Sequence, residues 1–347
     1  MPRNIWQGKN GPLLIAEIGG NHEGDFAYAE RLNRLAIGAG VDYVKHQLYR
    51  GDTLVSRLED PTRNQHFMRF ELLEEQHKTL AAMCRENGVG YLASVWDMNF
   101  IDWIDEYMDF FKVGSGDLTA YPVLKKLASK GKPILLSSGL STLDEVLEAV
   151  AYLQSLDSRY REPENLALLQ CTAMYPIVAA DANLSVMNTL REKTGLPVGY
   201  SDHTEGMYAL EVAVAMGAQI LEFHFTDDRE GKVFRDHKVS LTADEVRDLQ
   251  KRITRIRELQ GDSVKRPLDS EKEHRISFRR AVYPIVDIPA GTVITEEHLT
   301  VLRPNHGIDA REYNQVLNRQ TLVDLKAHQR LEWSYFTDEN GKDGNLG

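Results

Sequence analysis

Two histidines stand where this chain could do chemistry: His203 in GYSDHT and His224 in ILEFHFT, each closing an apolar run of strand length, with residues 205–217 between them in a helical pattern. Two strands joined by a helix run parallel, so both strand ends open on the same edge of one sheet and the imidazoles converge there. A lone strand-end histidine is more often a hydrogen-bonding group than a ligand. Two at one edge suggest a divalent metal, and their neighbours are of the right types: Ser201-Asp202 precede His203, and Asp236-His237-Lys238 follow His224.

The other candidates also fall at the ends of apolar runs. Glu17 closes the first, Lys45 and Gln47 lie in the second, and Lys112, Ser115 and Asp117 belong to KVGSGD; Ser137, Ser138, Thr172, Tyr175 and Ser201 follow. Lys45 and Lys112 sit inside otherwise apolar runs, where an unpaired ammonium would be costly, so each needs a buried partner. Glu17 or Asp117 could be that partner, which would leave the lysines structural. Two lysines, several hydroxyls and the Gly114-Ser115-Gly116 turn with its backbone N–H groups also describe a phosphate pocket, a reading that gives the hydroxyls a role. Close to lysines and a divalent ion, Glu17 would stay ionised and could act as a base.

Positioning these groups requires a particular scaffold. Eight apolar runs start at Leu13, Tyr43, Tyr91, Phe110, Pro133, Leu166, Pro197 and Ile220, and helical patterns at 26–37, 72–85, 142–156, 209–216 and 242–259 alternate with or follow them. Near-continuous apolar strands alternating with helices indicate a parallel sheet buried on both faces. Eight such units in about 260 residues is the size of a closed (β/α)8 TIM barrel, whose functional groups collect at the C-terminal strand ends. The expected domains are a barrel over 1–260, a polar linker over 261–277, a small α+β unit over 278–337 with a helical HLTVL segment, and a frayed tail over 338–347.

The sequence has 347 residues and a net charge of −11, which argues against a nucleic-acid surface. Two cysteines exclude a disulfide framework. No apolar run is long enough to span a bilayer and no signal peptide is evident, so a soluble cytoplasmic protein is expected.

Taken together, IAEIGGNHEGD, VKHQ, KVGSGDLT, GKPILLSSGLSTLDEV, CTAMYP, LPVGYSDHTEG, HFTDDR and DHKVSL resemble the sialic acid synthase family, and FRRAVYPIVDIPAGTVITEEHLTVLRP resembles its C-terminal antifreeze-like (SAF) domain. The resemblance implies condensation of phosphoenolpyruvate with an N-acylated amino sugar to a nine-carbon 2-keto acid. It implies a manganese or other divalent ion on His203 and His224, and Glu17 as the catalytic carboxylate. Lys45, Lys112, Ser115, Ser138, Tyr175 and Ser201 would contact phosphoenolpyruvate, and Asp117, Asp236 and Arg303 the sugar, with Asp117 also a catalytic residue beside Glu17. A domain-swapped homodimer, in which the small domain caps the partner's barrel, is also implied. The sequence departs from the family at His46 in VKHQ, Ala173, Phe223, Trp96 in SVWDMNF and the charged connection before Asp236, so sialic, legionaminic and pseudaminic acid precursors are all open.

Overall fold

The computed structural model describes residues 5–338, so the expected tail lies, from residue 339 on, outside the described residues. The chain divides into two compact units, Met1–Gly261 and Asp262–Gly347. In the first, eight parallel strands follow one another: β1 Gly11–Glu17, β2 Tyr43–Leu48, β3 Gly90–Val95, β4 Phe111–Val113, β5 Ile134–Ser137, β6 Leu166–Cys171, β7 Val198–Asp202 and β8 Ile220–His224. Each pairs with the next, and β8 pairs with β1 from Leu13↔Ile220 to Glu17↔His224. The sheet is therefore a closed barrel.

Side chains alternate along a strand, and the barrel uses both sets. One set meets the helices. In helix Phe26–Ala39, Ala29, Leu32, Asn33, Ala36 and Ala39 are buried at helical spacing, the Asp25 carboxylate accepts from the Tyr28 N–H, and Gly40 ends the helix at φ 84°. Helices Leu143–Leu156 and Ala243–Gln260 start from reciprocal caps, Thr142 with Glu145 and Thr242 with Glu245. The sequence pattern does not mark helices Pro61–Phe70, Tyr121–Ala128 and Val186–Thr194, which are short or polar.

The other set fills the barrel interior. At the N-terminal end it is apolar: Tyr43 and Phe110 meet edge to face at 4.9 Å, and Trp6, 1% exposed, packs on Phe110 at 5.2 Å. A two-residue strand, Gln7–Gly8, turns back antiparallel on β1 and carries Trp6 into this end, where its indole N–H donates to the Pro163 carbonyl at 2.8 Å. Toward the C-terminal end the interior becomes polar.

The second unit holds an antiparallel pair, β9 Ala281–Pro284 with β10 Leu299–Leu302, over a core including Val282, Ile294, Leu299, Ile308, Val316, Leu331 and Phe336. HLTVL is not a helix. After a single turn at Glu296–His298 the chain extends as β10, consistent with its β-branched Thr300 and Val301. Of the segment expected as a linker, residues 262–277 belong to this unit and include helix Lys272–Ser277.

Candidate active site

The polar interior is built around two lysines and two carboxylates. Lys45 Nζ lies 2.6 Å from Glu17 Oε2 and 3.7 Å from Glu222 Oε2, and Lys112 Nζ lies 3.6 Å from Glu222 Oε1. All four are nearly inaccessible. Neutral groups complete the cluster: Lys112 donates to Ser137 Oγ at 2.6 Å and to the Val113 carbonyl, Ser201 donates to Glu222 Oε1 at 2.9 Å, Lys45 donates to Ser94 Oγ at 3.4 Å, and Gln47 donates to Glu17 Oε1 at 3.2 Å. The register explains the convergence, since Glu17 pairs with Lys45, Ser94 with Lys112, and Ser201 with Glu222. Of the partners expected for the lysines, Glu17 is one. The other is Glu222 rather than Asp117, which makes no ion pair among the described residues.

Charge is balanced but unevenly tuned. Burial raises the Glu17 carboxyl, against the pull of Lys45, which makes it the more basic of the two carboxylates. For Glu222 burial also raises, but Lys112 and Lys45 outweigh it and hold the group below its ordinary value. Burial lowers Lys112, whereas at Lys45 burial is outweighed by Glu17 and Glu222 and the ammonium is held more firmly. Gly19 seals one side of the cluster: at φ 53° it passes so close that a Cβ there would stand 3.2 Å from Glu17 Oε1.

One layer higher are the two histidines. His203 and His224 face each other with ring centroids 5.2 Å apart, and the Tyr175 ring packs on His203 at 4.0 Å. His203 Nδ1 is 2.7 Å from the Thr172 carbonyl, so that nitrogen carries a proton and donates, which leaves Nε2 with a free lone pair. His224 Nδ1 is buried without a hydrogen-bond partner, 3.8 Å from Asp236 Oδ2. Burial lowers His203 to about 4 and His224 well below its ordinary value, so both rings are neutral near pH 7, the ligating form. Among the described residues no set of three or more His, Cys, Asp or Glu side chains converges as a metal cluster. The donor set therefore fits a cation that takes two nitrogens here and its remaining ligands from solvent or substrate.

The remaining expected residues ring the mouth. Ser115 Oγ accepts from the Gly139 N–H at 3.0 Å, and Ser138 Oγ donates to the Leu169 carbonyl at 2.9 Å. Burial raises Asp117 and Asp236 to about 6 each, opposed at Asp117 by Lys112 and at Asp236 by Arg235. The Arg235 guanidinium covers the outer face of Tyr175 at 4.7 Å. Phe234 beside it packs on Phe70 at 5.1 Å and lies over Gly20, where a Cβ would meet its ring at 2.8 Å. Arg303 belongs to the second unit, with its guanidinium 5.8 Å from the Phe278 ring. Glu222 was missed from sequence, although its spacing of two from His224 places both on one face of β8.

Residues 33–265 match the NeuB family and residues 279–336 the SAF domain. The chain is 34% identical over 332 residues to the N,N'-diacetyllegionaminic acid synthase of Campylobacter jejuni, covering 92% of this chain and 98% of that protein. It is 33% identical over 352 residues to the N-acetylneuraminate-9-phosphate synthase of Homo sapiens, covering 97% and 96%. Of solved structures, the N-acetylneuraminic acid synthetase of Leptospira borgpetersenii matches with a TM-score of 0.70 at 29% identity, over 77% of this chain and 91% of that one. The spore coat polysaccharide biosynthesis protein spsE of Bacillus subtilis matches with 0.63 at 26% identity, over 97% and 99%. Barrel and second unit are thus matched in the same order and over almost the full length of these relatives, and the chain belongs to the NeuB family, with a SAF domain following its barrel.

Proposed function

We propose that this protein condenses phosphoenolpyruvate with an N-acylated amino hexose and water, releasing phosphate and a nine-carbon 2-keto sugar acid of the sialic, legionaminic or pseudaminic type. The observation that carries the proposal is the buried Glu17–Lys45–Glu222–Lys112 cluster one layer beneath a neutral histidine pair. On this reading an anionic three-carbon substrate is drawn to the lysines, with Ser115, Ser138, Tyr175 and Ser201 around it, and Asp117 and Asp236 would accept from sugar hydroxyls. His203 and His224 would hold a divalent cation, manganese or a similar ion, which supplies Lewis-acid polarisation of the sugar's aldehyde oxygen.

Carbon 3 of the enol attacks the aldehyde carbon, the enol π pair forming the new C–C bond and the aldehyde π pair becoming a hydroxyl after protonation. Water adds to the electron-deficient C2, and Glu17, raised by burial, is the carboxylate suited to take its proton. Collapse of the resulting C2 adduct breaks the C–O bond, expels phosphate and leaves the 2-keto group. Arg303, in the SAF domain, is proposed to complete the sugar site of a second copy in a swapped homodimer. The test is a panel of N-acyl hexoses with phosphoenolpyruvate, following phosphate and product mass. Equimolar phosphate and a product heavier than the sugar by a pyruvate unit are expected; no phosphate release with any sugar, metal supplied, rejects the proposal.

A further inference from the structure

Above the lysine layer, the side of the mouth formed by β2 and β3 is aromatic. Alternation carries Lys45 and Gln47 to Tyr49 just past β2, and Ser94 to Trp96 just past β3, and the pairing continues beyond the strands through the Trp96 N–H to the Leu48 carbonyl at 2.9 Å. Tyr49 and Trp96 stack at 5.3 Å, and Phe67 closes on both edge to face, at 5.2 and 6.1 Å. The indole edge leans over Gly114, where a Cβ would lie 3.6 Å from Trp96 Nε1. That N–H has no acceptor among the described residues. Trp96 is only half-buried, so its free donor and ring edge are available to a ligand.

Topology says which part of a ligand would reach them. On the function proposed above, on which this inference rests, the acceptor's carbonyl end sits at His203 and His224, which follow and end β7 and β8. In a closed ring of eight, β3 is four strands from β7 and so lies across the mouth. The wall at Trp96 therefore faces the end of the acceptor furthest from the reacting carbon.

The geometry points to Trp96 as a specificity-determining residue that receives this distal end through its indole N–H and its ring. The nearby Asp97 is a carboxylate, buried and accepting from Thr53 Oγ at 3.0 Å. A hydroxyl group brought here meets a donor, and a methyl group meets an apolar ring.

The experiment takes N-acetylmannosamine as acceptor at saturating phosphoenolpyruvate, measuring kcat/KM by phosphate release and binding by quenching of tryptophan fluorescence. Trp96→Phe, which keeps a ring and loses the donor, should raise KM for that sugar about five- to tenfold, leave KM for phosphoenolpyruvate within about twofold, and abolish most of the quench. Trp96→Tyr, which restores a donor, should recover part of the affinity and serves if the first variant folds poorly. An unchanged sugar KM in both variants overturns the role of Trp96. Absence of wild-type turnover with every acceptor overturns the functional proposal itself.

Discussion

Replacing Glu222 by Gln changes neither shape nor volume, yet it removes one of two negative charges from a cluster that neutralises two buried ammonium groups. Lys45 keeps Glu17 at 2.6 Å, but Glu222 is the only carboxylate within ion-pair distance of Lys112 among the described residues. Lys112 would be left with Ser137 and a carbonyl, at a site where burial already disfavours its charge. Removing one member of a buried ion pair costs about 3–5 kcal/mol, the lower end applying if Lys112 sheds its proton instead. At about 2 °C per kcal/mol for a domain of this size, the apparent Tm should fall by roughly 6–10 °C. The assay is denaturant unfolding of Glu222→Gln, Lys112→Met and the double variant. If the cluster acts as a unit, the second substitution on top of the first should cost much less than it does alone, with a coupling of about 2 kcal/mol. Additivity of the two single effects to within about 0.5 kcal/mol refutes the reasoning, because the pair would then contribute nothing as a pair.

Exhaustive chelation should abolish turnover and Mn²⁺ should restore it, and His203→Ala should lose bound metal by elemental analysis along with rate; full activity without metal contradicts the two-imidazole site. Lys112→Met should raise KM for phosphoenolpyruvate in steady-state assays, and an unchanged KM would make the lysine purely structural. Mixing inactive Arg303→Ala with inactive Glu17→Gln chains should recover about a quarter of wild-type activity under random exchange, while exchange confirmed by mass without recovery would place each site within one chain. His46 and His77 are buried and held below their ordinary values, His77 to about 3, so below about pH 6.5 the unfolded chain binds protons that the folded chain refuses. Stability should therefore fall as the pH drops from there, and His46→Phe should remove about 1.4 kcal/mol per pH unit of that slope in urea titrations between about pH 6 and 4.

The sequence pattern carried the barrel well, because every strand is a compact apolar run and the longer helices between them have clear apolar faces. It carried the site less completely. Glu222 lies inside a run that reads as apolar throughout, and only a barrel interior that turns polar halfway up makes a carboxylate there sensible. His46 shows the opposite case. It stands between Lys45 and Gln47, yet it faces outward, with Nε2 3.1 Å from Asn33 Oδ1 and its ring stacked at 5.8 Å on Tyr91, so its departure from the family leaves the chemistry alone. Nor could local pattern show that Phe234 would cross to Phe70 over Gly20, since that contact joins the loop after β8 to the end of a helix that follows β2, far apart in the sequence.

Trp6 closes the N-terminal end of the barrel, and this sets the order of traffic through it. With that end plugged, substrates and products share one opening. Glu222 lies two residues below His224 on β8, a drop of about 6.6 Å, so whatever binds the lysines lies beneath whatever binds the histidines. The lower ligand must enter first, and an acceptor bound early would stand in its way. Initial-rate patterns should accordingly show an ordered mechanism, with phosphoenolpyruvate leading and the acceptor, at high concentration, inhibiting by competing for the empty enzyme.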